Sequence, residues 1–320
     1  MINFIAVTVV FAFVFFSQSD PGKSSFRNFF STERDFGHFP SVVKAETVRR
    51  LGAKKNCDAL MLVLSTMDGN LTRAAIRSGW LKDIRGIRWG MKIQHKFVVG
   101  HMGNITDAAI ISEIELHNDL LVLPFMDNYW NLSIKVGLMF KSPDVLNKCK
   151  FIVKVDSDVY VRAARFTAVI KALPTRYPIY GGYYYDQKIR VMPVPRNESN
   201  KFSFTIEEHP KELFNPYVGG PLYFLSNSVA SRLPYTVIQS SSERGEVENI
   251  PSTYTVDRPP FFRLEDVFMG FLVGSMIPKV TFVHIPKFIT DFDHHRQKHM
   301  VALHNVRDHG TMAQGHEMFG

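Results

Sequence analysis

The chain has 320 residues, 45% hydrophobic and 21% charged, values that exclude a disordered or fibrous chain and allow one large domain or two ordinary ones. Two cysteines exclude a disulfide-stapled small domain and a Cys-rich zinc module. A net charge of +8 suits an anionic partner such as a nucleotide sugar, an acidic glycan, a membrane surface or nucleic acid. The basic residues are spread along the chain rather than clustered, which argues against nucleic acid.

Residues 2–16 form an uncharged apolar run, shorter than the roughly 20 residues of a spanning helix. Small residues follow at Ser17 and Ser19. Secretory entry is the reading, with residues 1–19 as a short signal anchor in preference to a signal peptide cleaved after Ser19. A buried first helix is the bland alternative. Four glycosylation sequons, at Asn70, Asn104, Asn131 and Asn197, fit that compartment. Residues 20–55 are polar and patternless, as in a stem or linker.

An alternation of elements then begins. Residues 58–65 are a continuous apolar run, which predicts a buried parallel strand. Residues 71–81 have helical spacing with Arg73 and Arg77 on one face. Strands are predicted at 95–100, 120–123 and 151–155, with helices at 107–117 and 129–140 between them. This βαβα order predicts an α/β fold with a mostly parallel central sheet and flanking helices. After Leu173 the character changes, because eleven of the seventeen prolines fall between Pro174 and Pro260. Short strands and binding loops are expected there. Residues 264–273 predict one more helix, entered from the acidic pair Glu265 and Asp266.

The sharpest chemical signal is Asp156-Ser157-Asp158 at the end of the fourth strand. Open α/β sheets bind ligands beyond the carboxyl ends of their strands. Two carboxylates one residue apart can face one hard divalent ion, which in turn bridges a diphosphate. The same residues can also cap a helix in an ordinary turn. Glu265 and Asp266 read either as an acidic pair favoured by a helix dipole or as a general base beside an anionic ligand. The segment 291–299 holds His294, His295 and His299, and is either a solvated turn or the source of an imidazole ligand, to which Mn²⁺ is more tolerant than Mg²⁺. Arg73 and Arg77 can clamp phosphates through bidentate hydrogen bonds or form the polar face of a surface helix.

These pieces line up in order with a known family. Arg73-Ala74-Ala75-Ile76-Arg77-Ser78-Gly79-Trp80 resembles R-x-x-I-R-x-T-W, with Gly79 in place of threonine. Phe97-Val98-Val99-Gly100 is similar to the family's second strand. Phe125 to Lys135 resembles D-F-x-D-x-Y-x-N-L-T-x-K, and Lys154 to Asp158 resembles K-x-D-x-D. Asn215 to Ser226 resembles Y-P-x-Y-x-x-G-x-G-Y-x-L-S, with Pro221 where glycine or threonine is usual. Glu265 to Gly270 is similar to E-D-V-x-x-G. The chain thus resembles the β-1,3-galactosyltransferase family of Golgi glycosyltransferases over about residues 58–300.

The resemblance implies a GT-A glycosyltransferase fold over 56–303, followed by a C-terminal tail at 304–320. It implies a UDP-sugar donor, a divalent cation, usually Mn²⁺, and a glycan acceptor on a glycoprotein, glycolipid or proteoglycan. Asp158 becomes the nearest metal ligand, and Asp156 a support for the metal or the donor ribose. Asp266 becomes the base that deprotonates the acceptor hydroxyl, giving a β-1,3 linkage with inversion, and Glu265 orients the acceptor or a loop. His295, with His294 second, supplies the late metal histidine, while Arg73, Arg77 and Asp127 hold the uridine end and diphosphate. A Golgi membrane location follows, single-pass type II with a lumenal catalytic domain. Cys57 and Cys149 precede the first and fourth strands and are either bridged or free. The rival readings are a β-1,3-N-acetylglucosaminyltransferase, a non-catalytic glycan-binding member of the fold, and a metal-dependent phosphodiester or pyrophosphate hydrolase.

Overall fold

The computed structural model describes the strand β1 (Phe15–Phe16) and residues 57–315, apart from 86–89, 186–192, 234–263, 277–279, 292–299, 307–311 and a few shorter stretches. The first apolar run is the strand β2 (Cys57–Leu64), buried at every position but Asp58. Ala59, Met61 and Val63 enter one core, while Leu60, Leu62 and Leu64 enter another on the opposite face. A strand covered on both faces carries no polar alternation, which explains the unbroken apolar run.

The strands β3 (Ile93–Gly100), β4 (Leu120–Leu123) and β5 (Cys149–Val155) extend this sheet in parallel, β2 pairing with both β3 and β5 and β3 with β4. Helices connect them: α1 (Asn70–Ser78) and α2 (Trp80–Ile84), then α3 (Ala108–His117), then a 3₁₀ turn (Tyr129–Asn131) running into α4 (Leu132–Lys141). The helix predicted at 71–81 is split at Gly79, where an added Cβ would lie 2.9 Å from the Ala75 carbonyl oxygen. Asp107 opens α3 by accepting the backbone N–H groups of Ala109 and Ile110, an N-cap arrangement.

Beyond β5 come β6 (Tyr160–Val161), α5 (Ala163–Ala172), β7 (Ile179–Tyr185), β8 (Tyr217–Ser226), α6 (Asn227–Ala230), α7 (Glu265–Met276), β9 (Thr281–His284), β10 (Ile289–Asp291) and β11 (Ala302–His304). The eight-stranded sheet has the order β1-β9-β7-β8-β5-β2-β3-β4, and a three-stranded sheet has the order β10-β11-β6. The large sheet is mixed: β8 runs antiparallel to β5 and β7, and β1 antiparallel to β9. Every other strand in it points the same way, so the carboxyl ends of β2, β3 and β5 share one edge with the start of β8. Helices α4, α6 and α7 pack on one face, and α1, α2, α5 and the small sheet on the other.

Pro221 lies inside β8, where it removes a ladder donor. The register of β7 against β8 shifts between Gly182 and Tyr184 at this place, and Gly182 takes a φ of 152° that favours glycine. The proline therefore sits at a bulge and not in a regular ladder. Cys57 and Cys149, paired in register at the first positions of β2 and β5, form a disulfide with Cα atoms 4.5 Å apart.

Apart from β1, residues 1–56 lie outside the described residues, and with them most of the proposed anchor and all of the stem. Among the described residues no helix is long and apolar enough to cross a membrane. The tail expected at 304–320 begins inside β11, and Val306 and Met312 are buried, so the folded unit continues past residue 303. Asn131 is buried, with its side-chain amide donating to the Met126 carbonyl, which leaves that sequon no room for a glycan. Asn70 and Asn197 are exposed.

Candidate active site

The chain leaves β5 at Val155 and turns through Asp156, Ser157 and Asp158 at the shared edge. The turn is anchored on both sides. The Asp156 N–H donates to the Pro221 carbonyl at 2.9 Å, and the Val306 N–H donates to the Asp158 carbonyl at 2.9 Å. Lys154, the penultimate residue of β5, is wholly buried. Its ammonium contacts Asp156 Oδ1 at 2.7 Å, Glu265 Oε2 at 3.2 Å and the Gly220 carbonyl at 2.6 Å. Burial disfavours the charged amine, but Asp156 and Glu265 outweigh it and hold Lys154 protonated.

Asp158 is half-buried, and its Oδ2 lies 3.6 Å from Nε2 of His304 at the end of β11. Burial and the neighbouring Asp156 charge push the Asp158 carboxyl upward, against the opposing pull of His304. His304 is thus the histidine that lies beside Asp158, whereas His294 and His295 lie outside the described residues. Its signal in the sequence is the apolar run 300–303 ending in histidine, weaker than the histidine-rich segment before it. Among the described residues no group of three or more His, Cys, Asp or Glu side chains is arranged to hold a metal ion. The fit of a cation therefore rests on two protein donors, Asp158 and His304, beside a second carboxylate that repels the first. That donor set, one oxygen and one nitrogen, would leave positions for ligand oxygens or water around a divalent cation.

Asp266 stands in the first turn of α7. Its Oδ2 accepts the Gly220 N–H at 3.0 Å and its Oδ1 accepts the Val267 N–H at 2.8 Å. Burial pushes its carboxyl above the ordinary range, opposed by Lys154 and those two N–H groups. A Cβ on Gly220 would come within 3.3 Å of Asp266 Oδ2, so glycine permits the close approach. Tyr129, 48% exposed, has its phenol pushed upward by burial and by the charges of Asp266 and Asp156. It therefore lies within electrostatic reach of both acidic motifs, a role the sequence did not suggest.

Four assignments change. Glu265 points inward, with Oε1 taking the Tyr223 hydroxyl and Oε2 facing Lys154, and burial raises its carboxyl to about 7. It orients Lys154 and does not face an acceptor. Arg73 is also fully buried. Its guanidinium donates to both Glu113 oxygens, the Ser65 hydroxyl and the carbonyls of Thr66 and Met67, which uses all five of its N–H groups and leaves none for a phosphate. Arg77 forks onto Asp119 at 2.9 and 2.8 Å, reaches Glu113 at 2.7 Å and lies over the Phe97 ring. Arg73 thus fixes the segment between β2 and α1, and Arg77 ties α1 to α3 and to the start of β4. Asp127 accepts the Gly100 N–H at 2.9 Å and the Lys135 ammonium at 2.6 Å, and Lys135 also donates to the Ser65 carbonyl. The carboxyl ends of β2 and β3 are tied together by this pair, and Lys135 feels Asp156 electrostatically.

The model of a family described as galactosyltransferase matches residues 71–250. Glu265, Asp266 and His304 lie beyond that span. A hydroxyproline O-galactosyltransferase of Arabidopsis thaliana is 27% identical over 175 residues, covering 54% of this chain and 24% of that protein. A β-1,3-galactosyltransferase of the same plant is 26% identical over 241 residues, covering 73% of this chain and 33% of the relative. The chain thus spans a third or less of the length of these plant relatives. β-1,3-Galactosyltransferase 5 of Pan paniscus is 26% identical over 256 residues, covering 78% of this chain and 76% of the relative. Among solved structures, the galactosyltransferase LgtC with donor and acceptor sugar analogues aligns over 81% of this chain and 96% of its own, with a TM-score of 0.44 and 10% identity.

Proposed function

The chain belongs to the galactosyltransferase family, and from that premise we propose that it is an inverting, metal-dependent hexosyltransferase of GT-A architecture. It moves galactose from UDP-galactose to the 3-hydroxyl of a glycan acceptor, forming a β-1,3 linkage. The observation that carries this reading is the meeting of two acidic motifs at one sheet edge. Asp156 and Asp158 follow β5, and Asp266 lies in the first turn of α7, with Lys154 and Gly220 between them. The relatives named β-1,3-galactosyltransferase support galactose as the donor sugar.

In this reading Asp158 and His304 hold a divalent cation, with Asp156 beside them. The cation, when bound, offsets the charge of the departing diphosphate. Asp266 accepts the proton of the acceptor hydroxyl as that oxygen attacks the anomeric carbon from the face opposite UDP. Its two backbone N–H partners keep one carboxylate orientation, and its raised affinity for a proton suits a base. Tyr129, half-exposed, lies within electrostatic reach of Asp266 and Asp156. The Cys57–Cys149 disulfide supports an oxidising lumen. Secretory entry through the N-terminal apolar run, with 20–55 as a stem, would place the catalytic domain on the lumenal side of the Golgi membrane, the end of that run (Phe15 and Phe16) being drawn onto the sheet against β9.

Titration calorimetry of the purified protein with UDP, with and without Mn²⁺, tests the reading. UDP should bind with Mn²⁺ present, lose that binding in Asp158→Ala, and bind more weakly in His304→Ala. Equal UDP affinity in wild type and Asp158→Ala would overturn the metal assignment.

A further inference from the structure

We propose that Lys154 is a positioning residue that holds the Asp156–Asp158 turn and the Asp266 base in one frame. The inference rests on the reading of the site given above. An ammonium has three N–H donors, and Lys154 directs them at three acceptors: Asp156 Oδ1 at 2.7 Å, the Gly220 carbonyl at 2.6 Å and Glu265 Oε2 at 3.2 Å. Each acceptor belongs to a different part of the site. Asp156 opens the turn after β5. Gly220 is the residue whose own N–H donates to Asp266 at 3.0 Å. Glu265 precedes Asp266 on α7 and is pinned from its other oxygen by the Tyr223 hydroxyl.

The connection is doubled through the backbone, because the Asp156 N–H donates to the carbonyl of Pro221. Residues 220 and 221 of β8 therefore touch both acidic motifs, and one buried cation closes the loop. A wholly desolvated ammonium is an expensive way to stabilise a fold, since apolar side chains of similar volume often serve as well or better. Its three acceptors explain why a lysine stands here. In group transfer, a displacement of about 1 Å can lower the rate roughly 100-fold, so fixing donor-side and acceptor-side carboxylates to one ammonium has a direct effect on the reaction.

Lys154→Met alone leaves Glu265 buried without its cation and is expected to unfold, so the test pairs it with Glu265→Gln. The double variant removes both buried charges and keeps the volume and the Tyr223 hydrogen bond. Three readouts are compared with wild type: the melting temperature, kcat for transfer from UDP-galactose, and amide exchange in the peptide covering 217–226. The expected result is a melting temperature near wild type, kcat lower by about 100-fold, and faster exchange around Gly220. A double variant that folds stably and keeps wild-type kcat would overturn the proposal, and so would unchanged exchange at Gly220. The wild-type rate itself tests the proposed function. The exchange, and the ratio of variant to wild type, test Lys154, so the two readings fail separately.

Discussion

Replacing Asp266 by asparagine separates a base from a binding residue. The side chain keeps its size and one carbonyl oxygen. That oxygen can serve only one of the two N–H groups, from Gly220 and Val267, that the carboxylate accepts at 3.0 and 2.8 Å. One lost hydrogen bond in a half-buried site costs about 1–2 kcal/mol, which for a chain of this size lowers the melting temperature by about 2–4 °C per kcal/mol. The chemistry should suffer more. An amide cannot take the acceptor proton, and a positioned base contributes about 10²–10⁴-fold, or roughly 3–5 kcal/mol of barrier. UDP binding with Mn²⁺ should stay near wild type, because neither Asp158 nor His304 is touched. Initial rates with UDP-galactose, calorimetry with UDP and a thermal melt read all three quantities on one preparation. The raised carboxyl of Asp266 adds a pH signature. Wild-type kcat/KM should fall as the pH drops through a value above the ordinary 3.8 of an aspartate, since the protonated acid is no base. Transfer by Asp266→Asn within about tenfold of wild type would place the base elsewhere and refute the role.

Two predictions concern stability. Burial alone would raise the Asp119 carboxyl, but hydrogen bonds from His95 and Arg77 overcome it and hold the group below its ordinary 3.8. A depressed carboxyl contributes stability that is present above its unfolded value and is lost as the pH falls through the folded one. Asp119→Asn should therefore cost about 3 kcal/mol near neutrality, as for one partner of a buried ion pair, and the gap to wild type should close below about pH 4. Urea melts across that range would count against the assignment if the gap stayed constant. For the disulfide, no thiol should titrate in the denatured, unreduced protein, and both cysteines should titrate after reduction. Cys57→Ser with Cys149→Ser should lose about 2–4 kcal/mol; thiols that titrate without reductant would refute the bridge.

Strands β2 and β5, and the second half of β3, were legible because they are buried almost throughout and read as apolar runs. The acidic motifs were legible for the opposite reason: charged residues at the ends of such runs stand out. Strands β7 and β8 were harder to place. Their glycines, tyrosines and Pro221 signal turns locally, and only pairing with β5 and β9 makes strands of them. The arginines were misread for a physical reason. Spacing put Arg73 and Arg77 on one helix face but could not tell whether that face met a ligand or the carboxylates of Glu113 and Asp119, which arrive from α3 and the start of β4. Charge patterning along a helix is blind to partners forty residues away.

The placement of His304 depends on the small sheet. Tyr160 and Val161 follow the Asp156–Asp158 turn directly, and they pair antiparallel with Leu303 and Ala302 of β11. That register fixes where β11 runs, and the next residue along it is His304, brought to the Asp158 carboxylate. The Val306 N–H then closes the arrangement on the Asp158 carbonyl. A histidine can be located from sequence when it lies on the same element as its partner, as in a helical repeat of four. Here the partner lies across a sheet whose pairing strands have two and three residues, too short to signal themselves. Two short strands thus make the position of His304 beside the Asp156–Asp158 turn a consequence of backbone pairing.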